Sequence, residues 1–153
     1  YGIGYSLGSM FTYEIACQLN HRFAAVASFA GTMPVDPETC ELVGGMGVLH
    51  IHGKLDYIID YDDDWDWKDG EHEGVGTMSN VPGMIEAWSM RANCGSSDTD
   101  ADFFLEHITH SDCFGGARVE HYGIEFWEHT WPDEVDGTPT YQLMWDFLSD
   151  FTN

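Results

Sequence analysis

Apolar residues along the chain fall into short continuous runs separated by stretches of helical spacing. Tyr1–Tyr5 reads as the end of a strand, and after a Gly-rich turn Met10, Phe11, Ile15 and Leu19 recur with the spacing of a helix face. Phe23–Phe29 and Val48–His52 are short runs suited to strands buried on both faces. A second helix is predicted from about Asn80, with Pro82 in its first turn, through Ile85 and Trp88 to about Asn93. Val119–Phe126 reads as a further strand. The last helix takes Thr138 as N-cap and Pro139 as its first residue, and carries a stripe of Leu143, Met144, Phe147, Leu148 and Phe151. This β-α-β-β-α-β-α order predicts an α/β fold with a mostly parallel sheet flanked by helices, whose ligands sit at the carboxyl ends of the strands.

At 153 residues, with 43% hydrophobic and 14% aromatic content, the chain can build one domain with a sizeable core. No repeat or low-complexity linker divides it. The first residue is not Met and lies within a predicted strand, so an N-terminal portion, with any secretion signal it carried, is expected upstream. Nothing in the chain approaches the roughly 18 consecutive apolar residues of a membrane span. The formal charge is −22, from 27 acidic against 5 basic residues, which offers nucleic acid or anionic lipid no attractive patch. Neither is expected as a partner. Such an excess suits a protein kept soluble in a saline medium, and equally a merely acidic secreted one. Cys17, Cys40, Cys94 and Cys113 lack any zinc-type spacing, which leaves two disulfides or buried thiols.

Gly4-Tyr5-Ser6-Leu7-Gly8 matches G-x-S-x-G with a strand before it and a helix after it, the setting in which that motif lifts a serine hydroxyl above the sheet. The amide of Leu7, at the start of the helix, is the expected donor to a developing oxyanion. A serine hydroxyl is a weak nucleophile at neutral pH and needs an imidazole base, itself oriented by a carboxylate. Asp56 follows the strand Val48–His52 and His129 follows the strand Val119–Phe126. Nucleophile, acid and base thus stand after successive strands in the order Ser6, Asp56, His129, which is the order of α/β hydrolases. The chemistry needs no cofactor.

His50 and His52 alternate on one strand and share a face, but no third ligand at a convincing spacing accompanies them. A structural role is expected, with His52 near the active site. His107 and His110 read as solvated loop residues, and nothing marks His21 or His121. The acidic stretch Asp60–Glu73 departs from the calcium-loop pattern, which needs Gly where Trp65 stands, so it reads as a solvated loop. Trp65 and Trp67 beside it can act as stacking platforms or as core cover.

Three segments carry a resemblance: Gly4-Tyr5-Ser6-Leu7-Gly8 with the helix to Ala16-Cys17; Val48-Leu49-His50-Ile51-His52-Gly53-Lys54-Leu55-Asp56; and His129-Thr130-Trp131-Pro132. With these the chain resembles the polyhydroxybutyrate depolymerase and feruloyl esterase group of secreted α/β hydrolases. The resemblance implies the catalytic triad Ser6, Asp56 and His129, substrate contacts from Tyr5 and Trp131, an ester of a polyester or plant polysaccharide as substrate, and an extracellular location. It also implies disulfides pairing Cys17 with Cys40 and Cys94 with Cys113. Within the family's fold, residues 1–153 correspond to the C-terminal part of a single catalytic domain, with the first strands and the second oxyanion donor upstream. Trp127-Glu128 and Asp133 stand where family members commonly carry glycines around the catalytic histidine, which changes the expected shape of the substrate mouth.

Overall fold

A computed structural model describes residues 1–37, 40–66 and 76–152. A six-stranded sheet forms its centre, in the order β1 (Gly2–Tyr5), β2 (Ala25–Phe29), β3 (Gly47–Gly53), β8 (Val119–Ile124), β7 (Leu105–Ser111), β6 (Ser96–Ala101). The first four are mutually parallel, whereas β7 and β6 are antiparallel additions. Helices α1 (Leu7–Gln18) and α2 (Val81–Arg91) pack on one face, where Tyr13, Ala16, Met84, Ile85 and Trp88 meet Val26, Val48 and Val119. Helix α3 (Thr140–Ser149) covers the other face, where Met144, Phe147 and Leu148 meet Ala25, Ala27, Leu49 and Ile51. Coverage on both faces is why β2 and β3 are buried along their whole lengths. The short pairs β4 (Trp65–Asp66) with β5 (Thr77–Met78), and β9 (Glu134–Val135) with β10 (Thr138–Pro139), lie outside this sheet.

Most predicted elements appear within a few residues of their expected bounds, and the differences have local causes. Thr138 and Pro139 form β10 rather than the cap and first residue of the last helix, which starts at Thr140; the buried stripe of Met144, Phe147, Leu148 and Phe151 is as expected. The predicted apolar face of α1 is not the buried one. Phe11 and Leu19 are exposed, while Ser9, Thr12, Tyr13, Ala16 and Cys17 face inward. The reason is a close approach: a Cβ on Gly4 would lie 2.2 Å from the Gly8 carbonyl oxygen and 2.3 Å from Thr12 Oγ1, so only small side chains fit where α1 crosses β1. The strands β6 and β7 were not anticipated, and His107 and His110 sit in β7 rather than in a loop. His107 stacks on Tyr122 and contacts Glu120 across the strands. In the acidic stretch, Asp60 accepts from the amides of Asp62 and Asp63, and Asp64 accepts from Asn80, the N-cap of α2. Trp67 and Glu71 lie outside the described residues.

Disulfides join Cys17 to Cys40 and Cys94 to Cys113, the expected pairing, with Cα separations of 4.2 and 3.8 Å, a little shorter than the roughly 4.4–6.8 Å usual for such bridges. The second ties the end of α2 to the end of β7 across 19 residues of sequence. Closing a loop of that length restricts the unfolded chain by about 3 kcal/mol. Replacing Cys94 and Cys113 together by Ala is therefore expected to lower the unfolding free energy by about 3 kcal/mol, read from denaturant titrations with the other bridge intact.

Candidate active site

The carboxyl ends of β1, β3 and β8 open onto one edge of the sheet, and the loops that leave them carry Ser6, Asp56 and His129. Ser6 joins β1 directly to α1. Its backbone lies at φ 54°, ψ −122°, a left-handed conformation that non-glycine residues seldom adopt. Bonds at both of its peptide groups hold it there: the Ser6 amide donates to the Phe29 carbonyl at 2.9 Å, and the Ser6 carbonyl accepts from the amides of Ser9 and Met10. The two glycines of the motif differ in what they do. Gly4 is required by the contact with α1, whereas a Cβ on Gly8 would meet nothing within 4 Å.

Asp56 is brought to His129 by a zipper between two loops. The Lys54 amide donates to the Ile124 carbonyl at 2.8 Å, and the Leu55 amide to the Trp127 carbonyl at 2.9 Å. A Cβ on Gly53 would lie 2.2 Å from the Trp127 carbonyl oxygen, so glycine alone permits this crossing. The result is a hydrogen-bonded row. Asp56 Oδ2 is 2.6 Å from His129 Nδ1, and His129 Nε2 is 2.7 Å from Ser6 Oγ. A carboxylate can only accept, so His129 carries its proton on Nδ1 and, when neutral, presents a lone pair on Nε2 to the serine hydroxyl. Such a row can take the hydroxyl proton as the oxygen attacks an electrophile and return it to a leaving group.

The carboxylate is buried, and burial alone would raise its pKa. Hydrogen bonding from His52, the Ile59 amide, His129 and the Ile58 amide outweighs that effect and holds it at about 2. Oδ1 accepts both amides at 2.9 Å, while Oδ2 lies against His129 and, at 3.2 Å, His52.

Leu7 opens α1, so its amide has no acceptor within the helix. Tyr5 and Trp131 meet at the base: the Tyr5 ring stacks against both Phe29 and His129, Trp131 packs edge-on to Tyr5, and the Tyr5 hydroxyl donates to the His129 carbonyl at 2.9 Å. A cleft of about 580 Å³ flanks the same loop, lined by Phe104, Trp127, Pro132 and Val135 among others.

Several residues at the site had little or no voice in the sequence. His52 was expected near it and His50 in a structural role, but Gly53 as the loop crossing point, and His121, Tyr13 and Tyr61 as buried polar partners, carry no such signal. Tyr61 donates to His121 Nε2 at 2.9 Å, and His121 Nδ1 donates to the His50 carbonyl at 3.2 Å. Burial, reinforced by the neighbouring His52, drives the His121 pKa down to about 3, and burial with His52 and His121 beside it holds His50 well below the usual imidazole range. Both rings are neutral at physiological pH. Among the described residues no cluster of three or more His, Cys, Asp or Glu is arranged to hold a metal ion.

No protein-family profile matches the chain. Over 97% of its length it is 23% identical to a bifunctional acetylxylan esterase/xylanase of Neocallimastix patriciarum. Over 86% it is 29% identical to a protein of Nocardia uniformis subsp. tsuyamanensis named "Putative esterase NocK". The matched parts make up 20% and 42% of those proteins, so the chain spans less than half the length of either relative.

Two outcomes follow from this geometry. Gly8→Ala is expected to fold with an unchanged or slightly raised Tm, because the site is open and Ala favours a helix by up to about 1 kcal/mol, whereas Gly4→Ala is expected to lower Tm severely or prevent folding; differential scanning calorimetry of the two variants separates them. Asp56 sits at about 2 in the folded protein against an ordinary 3.8, so the stability it contributes is complete above about pH 5 and is lost as the pH falls from about 4 through 2. The difference in unfolding free energy between the natural protein and Asp56→Asn should be constant from pH 7 to 5 and shrink below pH 4, as measured by denaturant unfolding at each pH.

Proposed function

We propose that the chain is the catalytic part of a serine carboxylic-ester hydrolase of the α/β-hydrolase type, in which Ser6 is the nucleophile, His129 the general base and then acid, and Asp56 the carboxylate that orients it. The observation that carries this reading is the row Ser6 Oγ, His129 Nε2/Nδ1, Asp56 Oδ2, at 2.7 and 2.6 Å, on a serine held in a strained turn between strand and helix. Similarity to two esterases supports the same class of reaction. Ser6 attacks the ester carbonyl while His129 takes its proton; the alcohol leaves with that proton, and water then hydrolyses the acyl-Ser6 by the same route in reverse. The Leu7 amide donates to the oxyanion of each tetrahedral intermediate. Tyr5 and Trp131 wall the approach to His129 and are proposed to contact the substrate. The two disulfides favour an extracellular location, since such bridges persist outside reducing compartments.

The sequence resemblance favours a polyhydroxyalkanoate as substrate. Similarity to an acetylxylan esterase/xylanase favours a second reading, an esterified plant polysaccharide. A catalytically inert binding protein on the same fold is the rival of another class, and it is disfavoured because nucleophile, base and acid stand in hydrogen-bonding contact. Hydrolysis of hydroxybutyrate oligomers, acetylated xylan and methyl ferulate distinguishes the substrates.

A fluorophosphonate probe is expected to label Ser6, and Ser6→Ala or His129→Ala to lower kcat by about 10⁴ or more. Labelling that persists in Ser6→Ala, traced by peptide mass spectrometry, would overturn the assignment.

A further inference from the structure

Beneath the carboxylate runs a second set of side chains that an esterase mechanism does not require. His52 Nε2 lies 3.1 Å from the Ile59 carbonyl oxygen and 3.2 Å from Asp56 Oδ2; His52 Nδ1 lies 2.9 Å from His50 Nε2; and His50 Nδ1 lies 2.6 Å from the Tyr13 hydroxyl. Tyr13, His50 and His52 are fully buried. With both imidazoles neutral, elementary hydrogen-bond chemistry fixes the direction of every link. A carbonyl and a carboxylate accept only, so His52 must carry its proton on Nε2. In the neutral ring Nδ1 then accepts, and the partner that donates to it is His50 Nε2–H. His50 Nδ1 accepts in turn, and the Tyr13 hydroxyl is its donor. The protons therefore all point one way, from α1 toward Asp56, and the positive ends of these dipoles face the carboxylate.

We propose that Tyr13, His50 and His52 form a one-directional hydrogen-bond row that positions the catalytic carboxylate, with His52 as the positioning residue that holds Asp56 toward His129. This rests on the esterase reading of Ser6, His129 and Asp56. His52 grips the Asp56 turn at two points: the carboxylate itself, and the carbonyl of Ile59, whose amide donates to the other carboxylate oxygen at 2.9 Å. Without that grip Oδ2 keeps His129 as its single side-chain donor, and the Asp56 amide bond to the Gly53 carbonyl at 3.1 Å ties the backbone of the turn to β3 without orienting the carboxylate. The acceptors at the Asp56 end set the tautomer of the whole row, and the Tyr13 hydroxyl, able to donate or accept, completes it as the donor to His50 Nδ1. If His50 were protonated on Nδ1 instead, its Nε2 would accept from His52 Nδ1–H, and neutral His52 would then turn a bare lone pair toward the carboxylate. Burial makes that arrangement costly, because an unmatched polar group away from water forfeits about 1–3 kcal/mol. A row of neutral rings can order a buried charge in this way without adding a charge of its own.

The two His52 variants that test this differ in one respect. His52→Gln keeps an N–H that reaches the position of Nε2, and His52→Leu fills similar space with none. Turnover of a small ester and the low-field ¹H NMR resonance of the His129 Nδ1 proton are measured for each. His52→Leu is expected to lower kcat by about 10- to 100-fold with KM within about twofold of the natural protein, and to move the His129 resonance upfield; His52→Gln is expected to restore both nearly to natural values. Unchanged kcat and resonance in folded His52→Leu overturn the proposal, and so does His52→Gln behaving no better than His52→Leu. Should His52→Leu fail to fold, Tyr13→Phe removes one hydroxyl at the far end of the row and is expected to shift the same resonance; an unshifted resonance overturns the row. The resonance requires no turnover, so it decides the row even if Ser6→Ala keeps full activity, the result that would instead remove the esterase reading.

Discussion

A negative charge held away from water must be surrounded by donors, and the Asp56 carboxylate is the constraint on which the geometry of this edge of the sheet depends. Leaving an ionised carboxyl unmatched in an apolar interior costs many kcal/mol, so its partners have to be present in the fold rather than supplied by solvent. They come from three directions. Ile58 and Ile59 turn their amides back onto Oδ1, His52 approaches Oδ2 from within β3, and His129 reaches it from the loop after β8. The last approach depends on the crossing at Gly53, where a methyl group would collide with the Trp127 carbonyl. A glycine with no chemistry of its own thus determines whether the carboxylate and the imidazole can meet.

The same logic extends inward as a layer. Gly4, Ser28, His50 and His121 are neighbours in register across four adjacent strands, so one row through the α1-facing side of the sheet is polar or empty where apolar residues would be usual. Helix α1 answers it with Ser9, Thr12 and Tyr13, and Ser9 and Ser28 are hydrogen-bonded through their hydroxyls. Through Tyr13 and His50 the helix that follows Ser6 is tied across the interior to the strand that leads to Asp56.

How much of this could be read from the sequence depended on how local its cause was. The meeting of Ser6, Asp56 and His129 was legible because each residue stands in a short motif at a strand end. The strands β2 and β3 were legible because both of their faces are buried, which leaves a continuous apolar run. By contrast Ser-Ser-Asp-Thr-Asp-Ala in β6 is exposed throughout, and Leu105–Ser111 is half-buried along its length, so neither shows the alternation that marks a strand; they are strands because β8 offers them an edge to pair with. The inward face of α1 departs from the hydrophobic spacing for a related reason. Hydrophobic spacing placed Phe11 and Leu19 in the core, but the closeness of β1 admits only small groups there, and closeness is a property of two elements together. His121 and Tyr61 carried no signal, since their partners lie 71 and 60 residues away.

The left-handed backbone at Ser6 also limits which substitutions selection could have tried there. At φ 54° a residue branched at Cβ crowds its own peptide groups more than an unbranched one does. Threonine, although it carries the same hydroxyl, is thus disfavoured by its methyl group, whereas cysteine and aspartate, both unbranched at Cβ, are nucleophilic side chains that the turn accepts. On the proposed reading of Ser6 as the nucleophile, its replacement by another nucleophile runs through a thiol or a carboxylate, and the backbone, rather than the chemistry of the ester, disfavours the second hydroxyl.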